Sequence, residues 1–360
     1  MAPMGIRLSP LGVAVFCLLG LGIIYHLYAG VISSRPVCLQ NKTEQLSQNT
    51  VSLCVCRQVK KVDLRELLAV SVEAAVLGGK EVKRIRDENS LNEKSKGETR
   101  EGAKELLTTG DLQSHRKMFN LLSNTFPDVT VHSEEHDNVL DSVTWDKKIP
   151  AEILEKVKES TEVPADSITV WIDPLDATQE YTEKLVKYVT TMVCVAVDGR
   201  PVIGVIHLPF TGLTAWGFVG QGSNVHVRSS YTYNPPKVIV SRSHSGEVKK
   251  FIQDAFGNNT TIITAGGAGY KVLSLLDITS SESDPMDQAD VYVHITFIKK
   301  WDICAGAALL NALGGHMTTL KGEEIDYSGT PLNKGGLVAT IGENHKSILE
   351  KLPNWDPEKH

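Results

Sequence analysis

The chain has 360 residues, 41% hydrophobic and 22% charged, which describes a folded protein with a sizeable core and excludes a disordered or fibrous one. Its net charge of -6, from 37 Lys+Arg against 43 Asp+Glu, argues against an electrostatic binder of nucleic acid polymers. Six cysteines are too few for a disulfide scaffold.

Residues 1–10 are expected to form a short cytosolic tail before an apolar run over 11–32. No Asp, Glu, Lys or Arg occurs from Leu8 to Ser34. Leu11 to Ile32 is long enough to cross a bilayer core of roughly 30 Å as a helix, with Tyr25 and Tyr28 suited to its interface. An uncleaved signal anchor is expected, making a single-pass type II protein with a luminal bulk. A cleaved signal peptide is the alternative, for which Tyr28-Ala29-Gly30 is a poor cleavage context. Residues 33–60 read as a polar luminal stem. There Cys38, Cys54 and Cys56 could pair within or between chains. Sequons at Asn41, Asn258 and Asn259 agree with a lumen.

The remaining chain reads as two halves, 61–200 and 201–360. A helix starts near Asp63, with Leu64, Leu67, Leu68, Ser71 and Ala75 in one stripe. The charged stretch Lys80 to Lys104 reads as containing an exposed loop. Asp111 opens a second helix with Leu112, Phe119 and Leu122. Strands are expected at Val129–Val131 and Ile168–Ile172, then at about 190–197, 202–206, 214–218, 237–240, 261–264 and 290–295. Helices are expected around Tyr270–Leu276 and Asp302–Leu313. This mixture predicts a layered α/β or α+β architecture without an internal repeat. Cys194 and Cys304 read as separate buried thiols.

The chemistry lies in where the acids fall. Two strands run straight into carboxylates, Glu134-Glu135 after one and Asp173 after the other. Asp173-Pro-Leu-Asp176-Ala-Thr178 reads as a tight turn whose two aspartates can converge on one site. Such oxygen ligands suit a hard cation like Mg²⁺. Taken alone, the motif fits a solvated turn better.

Together, however, Asp111, Glu134-Glu135, Asp173-Pro-Leu-Asp176-Ala-Thr178 and Trp301-Asp302 resemble the metal signature of the lithium-sensitive, Mg²⁺-dependent phosphatase superfamily. That superfamily includes inositol monophosphatases, fructose bisphosphatases and bisphosphate nucleotidases, and the likeness spans about residues 61–350. Ser241-Arg-Ser-His244 and Ala265-Gly-Gly-Ala-Gly-Tyr-Lys271 are similar to the nucleotide-binding segments of 3′(2′),5′-bisphosphate nucleotidases. The resemblance implies a sandwich of alternating helix and sheet layers. It implies two magnesium ions: Glu134, Asp173 and the Leu175 carbonyl for one, Asp173, Asp176 and Asp302 for the other. Two such ions about 4 Å apart would stabilise both the attacking and the leaving oxygen. Asp111 and Thr178 would orient and deprotonate the water, while Ser241, His244, Gly269 and Lys271 would hold the nucleotide. The implied activity is hydrolysis of adenosine 3′,5′-bisphosphate in the Golgi lumen, which clears an inhibitor of sulfotransferases. Lithium inhibition and a homodimer belong to the same expectation.

Two departures stand out. Ala177 replaces the glycine common in this turn, and Lys117 stands where relatives often show an aspartate, which puts a weak third metal site in doubt. Two rivals remain: an inositol phosphatase, and a non-catalytic nucleotide-binding partner of sulfotransferases. His132-Ser-Glu-Glu-His136 lacks the glutamate placement of a zinc protease, and Trp355-Asp356 reads as tail.

Overall fold

The computed structural model describes residues 60–356 apart from 99–101, 103, 138, 243–244, 279–284 and 343. The expected membrane anchor and stem, with Asn41, Cys38, Cys54 and Cys56, lie outside the described residues, as does His244. Among the described residues no helix is long and apolar enough to cross a membrane. The chain divides into Met1–Gln58 and Val59–His360, and all described elements belong to the second unit.

Helix α1 (Leu64–Asp87) starts where Asp63 accepts the Arg65 amide, the usual way to satisfy a free first-turn donor. Its expected stripe is buried, and it continues through Val82 and Ile85. The charged stretch from Lys80 is therefore helical as far as Asp87. Glu81, Arg84 and Glu88 pair along its exposed face, which explains the alternating charges. A hairpin follows, β1 (Lys94–Glu98) with β2 (Lys104–Leu107). Helix α2 (Thr109–Thr125) opens two residues before Asp111 because Thr108 caps it. Its buried face is Asp111, Ser114, His115, Met118 and Leu121–Leu122, with Leu112 and Phe119 only half-buried.

Strands β3 (Thr130–Ser133), β4 (Ile168–Asp176), β5 (Thr190–Val197), β6 (Arg200–His207), β7 (Thr214–Phe218) and β8 (Gly222–Ser223) make a six-stranded sheet in the order β8-β7-β6-β5-β4-β3. Only β3 and β4 run parallel. The second sheet, ordered β10-β9-β11-β13-β12, contains β9 (Lys237–Ser241), β10 (Thr261–Ala265), β11 (Val291–His294), β12 (Gly315–Thr318) and β13 (Leu337–Ile341). The two sheets divide after Ser223, beyond residue 200, because β6 to β8 continue the first meander.

Side chains alternate across a strand, and that alternation separates the layers. On β5, Val193 and Val195 face α1 and α2, while Met192, Cys194 and Ala196 face the opposite core. That central core also holds Ile239 of β9, Tyr292 of β11, and the helices α5 (Ala268–Leu273) and α6 (Lys300–Ala312). Val238, Val240, Val291 and Val293 point the other way, onto α4 (Ser245–Phe256) and α7 (His345–Leu349). The result is helix, sheet, helix, sheet, helix. A short helix, α3 (Thr178–Thr182), follows β4.

Two expectations are corrected here. Cys194 on β5 and Cys304 on α6 are joined by a disulfide, with Cα atoms 5.6 Å apart. Their separation of 110 residues concealed a pairing that only the docking of helix on sheet creates. Trp355 is packed rather than loose: its ring meets Phe251 edge-on and its N–H donates to the Ile295 carbonyl at 2.8 Å.

Candidate active site

Parallel pairing of β3 and β4 sets Ser133 beside Ile172, so the acids that follow, Glu134 and Asp173, leave the sheet together. The Glu134 amide donates to the Ile172 carbonyl at 3.1 Å, holding that exit in place. The start of α6 delivers Asp302 to the same spot, its carboxylate accepting the Lys299 amide at 3.1 Å. Glu134, Asp173 and Asp302 thereby offer oxygens that all lie within 4.8 Å of one another.

β4 does not end in a tight turn at Asp173. It continues to Asp176, which pairs with Thr190, after a break in register. Proline fits that break, since it has no amide to offer a neighbour. Ser114 Oγ donates to the Pro174 carbonyl at 2.6 Å, and the Leu175 amide donates to Asp173 at 3.1 Å. Asp176 takes three donors: the amides of Ala268 and Gly269 at 3.1 and 2.8 Å, and Thr190 Oγ1 at 3.1 Å.

Asp111 and Thr178 meet as expected. Thr178 Oγ1 lies 3.1 Å from both Asp111 Oδ1 and the Leu175 carbonyl. The other Asp111 oxygen accepts the amide and hydroxyl of Thr108 at 2.7 and 2.6 Å. Burial pushes the Asp111 carboxyl up to about 7, with Glu134 adding repulsion against the pull of Thr108. Burial raises Asp173 and Asp302 well above the usual carboxylate range, helped by Glu134 and Asp176. It also raises Glu134, opposed by the charge of Lys96.

Carboxylates that are buried, as Asp173 is, or half-buried, as Glu134 and Asp302 are, and that raise one another's pKa form a site short of positive charge. An all-oxygen donor set of this kind fits a hard divalent cation. The residues present therefore fit a metal ion.

The glycine run serves close approach. A Cβ on Gly267, whose φ is +63°, would lie 2.9 Å from an Asp176 oxygen and 2.5 Å from the Tyr188 carbonyl. Gly269 stands against Thr190, and Lys271 is buried facing Asp176, Glu180 and Asp302. Ser241 ends β9, with Oγ 3.4 Å from His294 Nδ1. Arg242 pairs with Glu180 and Glu183 at 3.0 Å each. Asn258 and Asn259 are exposed.

Sequence reasoning missed Thr108, Thr190 and Lys96. The Lys96 ammonium reaches in from the hairpin to Glu134 at 2.8 Å and Glu135 at 2.5 Å. A threonine three residues before Asp111 was a legible cap signal, whereas nothing local marked Lys96. Lys117 pairs with Asp141 at 2.6 Å. His132 stacks on Trp171, with centroids 4.7 Å apart.

A layered α/β fold with converging acids from β3, β4 and a helix start defines a class of metal-fitting hydrolase sites. The chain belongs to the inositol monophosphatase family, whose model matches residues 63–355. It is 64% identical to a Danio rerio protein named inositol monophosphatase 3, over all of both chains. It is 58% identical to a Homo sapiens protein named Golgi-resident adenosine 3′,5′-bisphosphate 3′-phosphatase, again over all of both. Among solved structures, the suhB protein of Bartonella henselae shares the fold at a TM-score of 0.59 and 16% identity, covering 80% of this chain and 98% of that one.

Proposed function

We propose that the chain is a metal-dependent 3′-nucleotidase that hydrolyses adenosine 3′,5′-bisphosphate to AMP and phosphate. The observation carrying this reading is the Asp111–Thr178 pair at 3.1 Å beside the cluster of Glu134, Asp173 and Asp302. Glu134, Asp173, the Leu175 carbonyl, Asp176 and Asp302 would hold two Mg²⁺ ions. Bound there, such ions supply Lewis-acid stabilisation of the charge that develops during phosphoryl transfer. Asp111 accepts the proton of the attacking water through Thr178, whose hydroxyl lies 3.1 Å from its carboxylate. Thr178 orients that water, and Thr108 keeps Asp111 from swinging away.

The substrate class draws support from sheet topology. β9 connects through α4 to β10 on one side, while β11 connects through α6 towards β12 on the other. Ligands favour the crevice beyond the carboxyl ends of strands at such a divergence. Ser241 and His294 stand there on β9 and β11. Ser241, His244, Gly269 and Lys271 would bind the nucleotide, with Lys271 facing the acids and Gly269 holding Asp176. The name of the human relative points the same way. The name of the Danio rerio relative favours a second reading, an inositol phosphate as substrate.

Placement in the Golgi membrane, with a luminal catalytic unit behind the 11–32 anchor, completes the reading. The Cys194–Cys304 disulfide suits that oxidising compartment. Glycans at Asn41 and at Asn258 or Asn259, lithium inhibition, a homodimer and service to sulfotransferases by removing their product belong to it too. Asp302→Asn should lower turnover of adenosine 3′,5′-bisphosphate at least about a hundredfold with circular dichroism unchanged, since a metal-binding charge is lost. Full activity in that folded variant would refute the assignment.

A further inference from the structure

Cys194 and Cys304 are fully buried, and their disulfide closes a long loop between two elements of the candidate site. On β5, Cys194 pairs with Trp171 of β4, and two residues before it Met192 pairs with Asp173. On α6, Cys304 comes two residues after Asp302. The same contact is a close approach of α6 to the sheet. Gly204 pairs with Cys194, and a Cβ on it would lie 2.0 Å from the Ala305 carbonyl. The bond therefore ties the first turns of α6 to the strand beside Asp173. The hydrogen bond that Asp302 accepts from the Lys299 amide comes from its own helix start and does not tie it to the sheet.

We infer that the Cys194–Cys304 disulfide positions the metal site, fixing Asp302 against Asp173 so that affinity for a divalent cation depends on oxidation of this pair. The inference rests on the metal-dependent reading above. Both cysteines are positioning residues, acting through Asp302 and touching no substrate. Forming the bond removes two protons and two electrons from two thiols, and a disulfide oxidant takes up the electrons by thiol–disulfide exchange. An oxidising compartment supplies that class of reactant. A chain kept reduced would thus assemble the same fold with a weaker metal site.

The test is Mn²⁺ binding to the full-length chain, read from loss of the free-ion electron paramagnetic resonance signal. Wild type made through a secretory pathway is compared with Cys194→Ala/Cys304→Ala and with Cys194→Ser. Ile348→Ala, in the apolar cluster on the far face of the second sheet, controls for general loss of stability. The expected result is about tenfold weaker Mn²⁺ binding in both cysteine variants, the scale seen when groups that orient metal ligands are lost. Ile348→Ala should bind as wild type does. Unchanged affinity in whichever cysteine variant folds, or free thiols at both positions in unreduced peptide maps, would overturn the inference. Absence of Mn²⁺ binding in wild type would overturn the metal reading itself.

Discussion

Ala177 shows how one residue can carry strain beside a site. It holds φ 70° and ψ 47°, the left-handed region, between Asp176 and Thr178. A Cβ there costs about 1–2 kcal/mol, which glycine would avoid at the expense of a more flexible unfolded chain. Ala177→Gly should therefore stabilise the protein by up to about 1 kcal/mol, measured by urea unfolding; a destabilisation would show that the methyl group is needed for packing. In the sequence the alanine reads as a sign that the position tolerates a Cβ, and the left-handed backbone was not legible there. The acids were, because two strands pointed at them. Lys96 was not, since its hairpin folds over Glu134 and Glu135 from far along the chain.

Among elements, α6 organises the molecule. It lies in the central core between the two sheets, presents Asp302 from its first turn and carries Cys304 towards β5. Gly204 makes its seat, and any larger residue must push the Ala305 carbonyl away. Gly204→Ala should cost about 1–3 kcal/mol by overpacking, and it should weaken metal binding as well because Asp302 rides on the displaced helix. Thermal unfolding and Mn²⁺ titration would check both, and a well-folded, fully binding variant would contradict this role. Periodicity located α6 and most strands within a few residues, since burial on alternate faces writes itself into the sequence. It failed where tertiary contacts decide: the continuation of β4 through Pro174 to Asp176, the helical extension to Asp87, and the disulfide.

The described residues of the second unit stack in five layers, whose buried histidines and clustered acids respond oppositely to pH. Burial lowers His115, His207 and His345 to about 4 from a usual 6.5. Their depressed values mean that their stabilising contribution is present above pH 6.5 and lost as pH falls towards 4. Asp111 is raised to about 7, so its contribution is present below pH 3.8 and lost as pH rises through 7. Added Mg²⁺ should compensate the acids, so the Tm gain on adding it should be larger at pH 8 than at pH 5 by scanning calorimetry. A gain that shrinks with rising pH would contradict the metal site. The family resemblance implied the alternation of layers, but sheet pairing emerges only at this scale, because no local pattern states which strands become neighbours. The most direct measurement is phosphate release by the full-length chain with Mg²⁺, comparing adenosine 3′,5′-bisphosphate, 5′-AMP and inositol 1-phosphate. The account predicts release from the bisphosphate with AMP left intact, whereas preference for inositol 1-phosphate, or no turnover of any of the three, would contradict it.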